Sequence, residues 1–277
     1  MSVGIGNDLF QIVGVSDISG LAEKLDGGND VDTLDIQVLG SIGRVDRSLA
    51  TLLNIENLMV SGNTVTLTAA QLGAFESISG SFLYDRFQIG SAGIVDMTNA
   101  TVNGIGQIRG NAGADTCLFA SATGNILVNM LGEADNDMGG DGNVVQPDGG
   151  GNDTLDGGTG ADLVTKRGGA DNLTGGAGAD VFAFDDLSEM GTGAARDVIV
   201  DVVHGQDINR LTGVDAELNP ARGSAIHLPR RCSYCWYGGA VALCGGVLSG
   251  DVGGEGTADF QIGLTGAPIR GVADFHL

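Results

Sequence analysis

Residues 148–183 read as four consecutive nine-residue units: DGGGNDTLD (Asp148–Asp156), GGTGADLVT (Gly157–Thr165), KRGGADNLT (Lys166–Thr174) and GGAGADVFA (Gly175–Ala183). Asp holds the sixth place of every unit, as Asp153, Asp162, Asp171 and Asp180. An apolar residue holds the eighth, as Leu155, Val164, Leu173 and Phe182. The second and fourth units fit G-G-x-G-x-D-x-U-x at every place, where U is a large apolar residue. Glycines admit positive φ, so the leading part of each unit suits a tight turn with inward carbonyls. The last residues suit a short strand whose apolar side chain enters a core. Carbonyl oxygens beside carboxylates make the hard donor set that Ca²⁺ prefers. A flexible glycine-rich linker has no reason to keep Asp and an apolar residue in phase through all the units.

This pattern resembles the repeats-in-toxin (RTX) nonapeptide of secreted calcium-binding bacterial proteins. The resemblance implies a parallel β-roll in which two nonapeptides make one turn, so alternate units stack on the same side and share an ion. It implies Ca²⁺ ligands at Gly149, Gly151 and Asp153, at Gly157, Gly158, Gly160 and Asp162, at Gly169 and Asp171, and at Gly175, Gly176, Gly178 and Asp180. Asp115 joins them from the imperfect unit Gly110–Asp115, where Cys117 takes the apolar place. The best site is expected between Gly157–Asp162 and Gly175–Asp180, the two complete units. In the third unit Lys166 and Arg167 replace both leading glycines. They put two cations beside the intended ion, and both long side chains are expected to swing outward.

Composition supports repeated turns. Gly is 49 of 277 residues with only 4 Pro and no G-X-Y period, which excludes collagen. The formal charge is −22, from 35 acidic and 13 basic residues. Charge-driven binding to nucleic acid or an anionic membrane surface is therefore not expected. Acids fixed in glycine turns point to cation binding instead. No apolar run approaches a membrane span, and MSVGIGNDLF lacks the basic and apolar regions of a signal peptide.

Toward the N-terminus the repeat survives as echoes. Gly6-Asn7-Asp8-Leu9-Phe10 holds half a unit, and Gly27–Asp35 fits a whole one except for Asp30 at the fourth place. Ile55–Val60 and Thr64–Thr68 read as strands, Thr68 as the cap of a helix over Ala69–Phe75, and Phe75–Gly80 and Ile105–Gly110 as further rungs. This half reads as an irregular parallel β-solenoid, with a small β-sandwich as the alternative. After Gly110 the nonapeptides resume imperfectly. Met138-Gly139 is expected to spoil the strand after Gly132–Asp137, and Val144 stands where Asp belongs.

Phe184–Ile199, Gly250–Ile262 and Val272–Leu277 resemble the C-terminal module of serralysin-type proteases. That resemblance implies a capping β-structure and an uncleaved signal for a type I exporter. The expected organisation is an irregular solenoid over 1–109, a calcium β-roll over 110–183 and an export module over 184–277. Asn219–Cys244 stands apart, with three of the 4 cysteines, the only Trp, and Arg222, Arg230 and Arg231. It reads as a divergent or frame-shifted segment.

Catalytic motifs are absent. None of the 3 histidines, His204, His227 and His276, lies in H-E-x-x-H, and no G-x-S-x-G occurs. His204 reads as a turn residue. Cys232-x-x-Cys235 without a second such pair is a weak zinc signature. Asp251–Asp259 alternates acids around Gly but lacks a bidentate Glu at the twelfth place of an EF-hand loop. The chain is thus expected to be all-β, a parallel β-roll or β-solenoid with glycine-rich calcium-binding turns and a C-terminal capping β-module. Its expected function is Ca²⁺-coupled folding after export from the cell. A polysaccharide-modifying epimerase or lyase and a calcium-dependent surface adhesion module are the alternatives.

Overall fold

A computed structural model describes residues 4–13, 23–37, 44–81, 85–119, 126–147, 149–211, 241–250, 257–266 and 274–276 of the chain. The fold is a parallel β-solenoid, nearly all β. Its contacts group into two compact units, residues 1–132 with 136–142, and residues 133–135 with 143–277.

In the first unit, one face stacks Leu9–Ile12, Thr33–Ile36, Asn57–Val60, Ser77–Ser79 and Thr101–Asn103, every pairing parallel. A second face stacks Arg44–Asp46, Thr64–Leu67, Arg86–Ile89, Gln107–Arg109 and Ile126–Asn129, again parallel. Ile94–Met97, Thr116–Phe119 and Asn136–Met138 make a third stack. This parallel pairing rules out the sandwich alternative, which would need antiparallel sheets.

Side chains alternate between core and solvent along a strand, and parallel in-register stacking puts equivalent positions on top of one another. Phe10, Leu34, Leu58, Ile78 and Val102 form one buried row, and Val45, Val65, Phe87, Ile108 and Val128 form another. Thr68 caps a short helix, Ala69–Leu72, with a capping box: its Oγ1 accepts the Gln71 N–H, and Gln71 Oε1 accepts the Thr68 N–H. The helix stops at Gly73, short of the expected Phe75, whose ring is itself buried.

Asn136–Met138 corrects the expectation of a spoiled strand. It pairs with Thr116–Leu118, because a parallel neighbour supplies ladder bonds whatever the side-chain pattern. Met138 faces outward, and Asp137 points inward beside Cys117. Burial, with the charges of Asp137 and Asp115, pushes the Cys117 thiol well above its ordinary pKa, so Cys117 serves as a small apolar residue.

In the second unit, Thr154–Asp156, Asn172–Thr174, Asp197–Val202 and Phe260–Gly266 stack in parallel. Val144–Pro147, Leu163–Thr165, Val181–Ala183, Ile208–Arg210 and Phe275–His276 make the other face. Each nonapeptide contributes its last three residues as a strand, and its eighth residue enters the core: Leu155, Val164, Leu173 and Phe182 are all buried. Pro147, which has no N–H to donate, ends its strand. Val241–Cys244 and Val247–Gly250 form a hairpin that adds antiparallel to Phe260–Gly266. Phe184, Met190, Leu248, Phe260 and Ile262 close the core there.

Asn219–Cys244 lies outside the described residues except for the backbone of Val241–Cys244, and so does most of the Asp251–Asp259 loop. Among the described residues no helix is long and apolar enough to cross a membrane.

The rows make a direct prediction. Phe87→Ala, in a fully packed row, should destabilise the first unit by about 3–5 kcal/mol. Leu9→Ala, on a side chain 60% exposed, should change it by less than about 0.5 kcal/mol. Urea unfolding of the two variants checks this.

Candidate metal centre: stacked glycine turns and aspartate ladders

The repeat period sets the geometry. Thr154–Asp156 pairs with Asn172–Thr174, and Leu163–Thr165 pairs with Val181–Ala183, so each coil takes 18 residues and alternate units coincide. The turns touch closely. Gly176 has φ +92°, and a Cβ there would overlap the carbonyl of Gly158 one coil back. Gly178 meets the Gly160 carbonyl in the same way, and Gly169 the Gly151 carbonyl. Only a residue without a Cβ allows this approach of backbone to backbone.

The sixth-place aspartates are buried, and each accepts the backbone N–H of its counterpart one coil earlier. Asp153 Oδ1 accepts from Asp135 at 2.7 Å, Asp171 Oδ1 from Asp153 at 2.9 Å, and Asp197 Oδ1 from Asp171 at 3.1 Å. On the other side Asp162 Oδ1 accepts from Val144 at 2.7 Å, Asp180 Oδ1 from Asp162 at 2.9 Å, and Asp207 Oδ1 from Asp180 at 3.1 Å. Fifth-place asparagines bond in the opposite sense at the surface: Asn143 and Asn152 accept the N–H groups of Ala161 and Ala170 from the next coil.

Oδ1 is thus satisfied. Oδ2 of Asp153, Asp162, Asp171 and Asp180 is buried with no hydrogen-bond partner. A buried, unsatisfied charged oxygen is costly, so these four atoms are the candidate ligands of the site. Carboxylate and carbonyl oxygens come close together at Gly157. There Asp162 Oδ2 and the Gly175 carbonyl oxygen lie 2.7 and 2.6 Å from the point a Cβ of Gly157 would occupy. Asp180 Oδ2 lies 2.6 Å from the corresponding point at Gly175. Gly149 is buried at the start of its turn, and Gly151 donates its N–H to the Gly168 carbonyl. Among the described residues no three Asp, Glu, His or Cys side chains converge, so a metal here would need backbone carbonyls as well as carboxylates.

Asp115 is placed differently. It lies in the first unit, and its oxygens accept the Asn111 N–H, the Asn111 Nδ2 amide and the Gly93 N–H. Asn111 of its own turn donates to both of its oxygens.

Lys166 departs from expectation. It does not swing outward but is 1% exposed. Its ammonium pairs with Asp197 Oδ2 at 2.9 Å, donates to the Glu189 carbonyl and lies 5.6 Å from the centre of the Phe184 ring. It stands at the first place of its unit, where Gly157 and Gly175 stand in theirs, and its side chain fills the inner side of the turn. The gain of a partner for the buried Asp197, plus the ring contact, outweighs the hydration that an outward position would keep. Arg167 is exposed, as expected.

Several residues went unnoticed in the sequence. Asp197 continues one ladder, and the phase Asp197-Val198-Ile199 is its legible signal. Asp207 continues the other, but the eighth-place equivalent is Asn209, which hides the match. Asp201 accepts the N–H groups of Gly175 and Gly176 and so closes the last glycine turn. His204, read as a turn residue, also bonds through Nδ1 to the buried carboxylate of Asp274 at 2.7 Å. The Gly205 N–H donates to the same group.

Burial raises the carboxyls of Asp162, Asp171, Asp180, Asp197 and Asp207. Asp171 is pushed up to about 7 and Asp162 to about 6, chiefly by desolvation, with neighbouring carboxylates adding to it and backbone donors opposing it. Asp180 and Asp207 shift upward for the same reason. Asp197 also shifts upward by burial, with Lys166 pulling it back.

No family model matches the chain, and a search of curated proteins finds no significant match.

Two predictions come from this geometry. At fixed Ca²⁺, Lys166→Met keeps the stem but leaves Asp197 buried without its countercharge. Urea unfolding should show a loss of about 3–5 kcal/mol, against less than about 1 kcal/mol for Arg167→Met on the surface. The second concerns pH in the presence of chelator. A carboxyl whose pKa is higher folded than unfolded takes up a proton on folding, so its contribution is present in acid and is lost as pH rises toward the folded value. For Asp162 and Asp171 that loss runs from their ordinary 3.8 up to about 6 and about 7. Circular dichroism in chelator should show more β-structure at about pH 5 than at about pH 8.

Proposed function

We propose that this chain is a secreted calcium-binding protein of the repeats-in-toxin type, whose folding is coupled to Ca²⁺ after passage through a type I exporter. The observation that carries the reading is the repeated buried carboxylate oxygen, without a partner, at Asp153, Asp162, Asp171 and Asp180, each in a glycine turn. The net charge of −22 supports it, since a metal-free chain repels itself most strongly where stacking would bring these acids together.

The chain's own residues divide the work. The glycines let successive turns approach and expose their carbonyl oxygens. The aspartates use Oδ1 to lock one coil to the previous one and keep Oδ2 for a ligand. Asp162, Asp180 and the Gly157 and Gly175 turns would hold the ion, with Asp153 and Asp171 on the opposite side. Bound Ca²⁺ supplies the positive charge and the oxygen partner that these carboxylates lack, so its binding energy becomes folding energy.

Low cytosolic Ca²⁺ then keeps the acidic coils open, in a form suited to a narrow exporter, and the higher extracellular level closes them. Likeness of the C-terminal segment to the serralysin export module supports the exporter as a partner.

A Ca²⁺ titration of the purified chain at about pH 8 in initially metal-free buffer tests the proposal. β-Structure should rise with a midpoint of roughly 0.1–1 mM, and Mg²⁺, which holds its waters and demands octahedral geometry, should substitute poorly. Asp180→Ala should shift the midpoint further than Asp171→Ala, because Lys166 already neutralises part of the ladder that runs through Asp171 and Asp197. A spectrum unchanged across the titration would overturn the reading.

A further inference from the structure

We infer that Lys166 and Asp197 condense within the folded chain, joining Nζ to the side-chain carboxyl carbon in an amide that ties one coil to the next. The two side chains are held for it. Nζ lies 2.9 Å from Asp197 Oδ2, and both side chains are 0% exposed. The Phe184 ring stands 5.6 Å from the same nitrogen, and the Glu189 carbonyl accepts one of its hydrogens. The carboxyl carbon is a single bond beyond Oδ2, so nucleophile and electrophile are kept in a near-attack arrangement.

Charge is what normally forbids this reaction. An ammonium has no lone pair to attack with, and a carboxylate resists attack. In water both ions are hydrated and the pair stays inert. In a buried site the hydration of both ions is lost, and desolvation works against the charged pair. Moving one proton along the Nζ to Oδ2 contact turns the ion pair into an amine beside an acid, with no change in total charge. Lys24 and Asp26 make the contrast within the same molecule. They pair at 3.0 Å, but their side chains are 58% and 19% exposed, so water keeps that ammonium protonated.

The atoms balance without any outside reagent. The ammonium first gives a proton to Oδ2. The amine then attacks the carboxyl carbon, and negative charge develops on Oδ1. Oδ1 already accepts the Asp171 N–H at 3.1 Å, a fixed donor of the kind that stabilises an oxyanion. A second proton passes from nitrogen to Oδ2, the carbon to Oδ2 bond breaks, and one water leaves. Oδ1 becomes the amide oxygen. The one hydrogen left on nitrogen can stay on the Glu189 carbonyl. No electron is gained or lost, and Asp171 acts here only through its backbone.

The position gives the bond a use. Through the nonapeptides the ladder repeats every 18 residues, from Asp135 to Asp153 and on to Asp171. The next step, Asp171 to Asp197, takes 26. A longer loop enters the stack there, and the cross-link would close the loop that holds the whole fourth nonapeptide. The inference rests on the fold and the buried pair, and it is independent of which ion the glycine turns hold.

Intact-mass spectrometry tests it on the purified full-length chain, with folding shown by slowed amide exchange at Leu163–Thr165 and Val181–Ala183. The mass is read after full denaturation in urea, where an ion pair no longer holds anything together. The chain should weigh one water less than its sequence. Trypsin cannot cut after an acylated lysine, so the digest should contain residues 110–167 joined to residues 197–210, while cleavage after Lys24 proceeds normally. Lys166→Arg keeps a cation beside Asp197 but offers a guanidinium that stays protonated. That chain, and Asp197→Ala, should each show the full sequence mass and no joined peptide. A folded wild-type chain of full mass, cut after Lys166, would overturn the inference whatever the variants do. A lost water without the joined peptide would assign the loss to ring closure at an Asp-Gly step such as Asp156-Gly157, and overturn it equally. A joined peptide that persists in Lys166→Arg would overturn the assignment of Lys166.

Discussion

Stacking like on like is the constraint from which the rest of the second unit follows. A coil of 18 residues returns each side chain to the same place one layer on, so an aspartate in every turn becomes a column of aspartates. The backbone N–H of each layer satisfies one oxygen of the next and spaces the column. The other oxygen points into the turn, beside glycines too small to screen it. The same bond that holds the coils in register therefore creates the electrostatic problem that the fold has to resolve.

The chain resolves it in three ways. Around Asp85 and Asp115 the turn provides donors from its own second place, through Ser81 and Asn111. At Asp197 a lysine is drawn into the core and pairs within the protein. At Asp32, Asp153, Asp162, Asp171 and Asp180 no protein group completes the second oxygen. The first two solutions make turns that are closed in themselves. The third leaves a buried charge that the protein itself does not relieve, and at Asp162 and Asp171 it raises the carboxyls to about 6 and about 7.

Apolar packing supports the columns without deciding their chemistry. The rows through Leu34 and Phe87 and through Leu155 and Leu173 give each layer a buried contact with the next. Even there the pattern is permissive. Cys117 occupies an apolar place, Asp137 follows it in the same row, and Asn209 follows Phe182. Asn209 is accommodated because its side-chain amide donates to the Asp274 carbonyl. A parallel ladder carries its own hydrogen bonds, so a row tolerates a polar member when that member finds a local partner.

The nonapeptide phase alone determined the strand positions, the inward eighth residue, the pairing of alternate units and the aspartates of the turns. Those features repeat at fixed spacing, and a periodic structure writes its period into the chain. The capping box of Thr68 and Gln71 was equally local and equally legible. The fate of Lys166 belonged to the tertiary structure, because its partners Asp197, Glu189 and Phe184 arrive from a later, longer loop. So did the difference between Asp32 or Asp162, which lack a second-oxygen donor, and Asp85 or Asp115, which have one. In sequence all four are acids in a turn. Which of them is satisfied depends on the hydroxyl, amide or carbonyl that the fold brings against the second oxygen, and at Asp32 and Asp162 that group is a carbonyl from another coil.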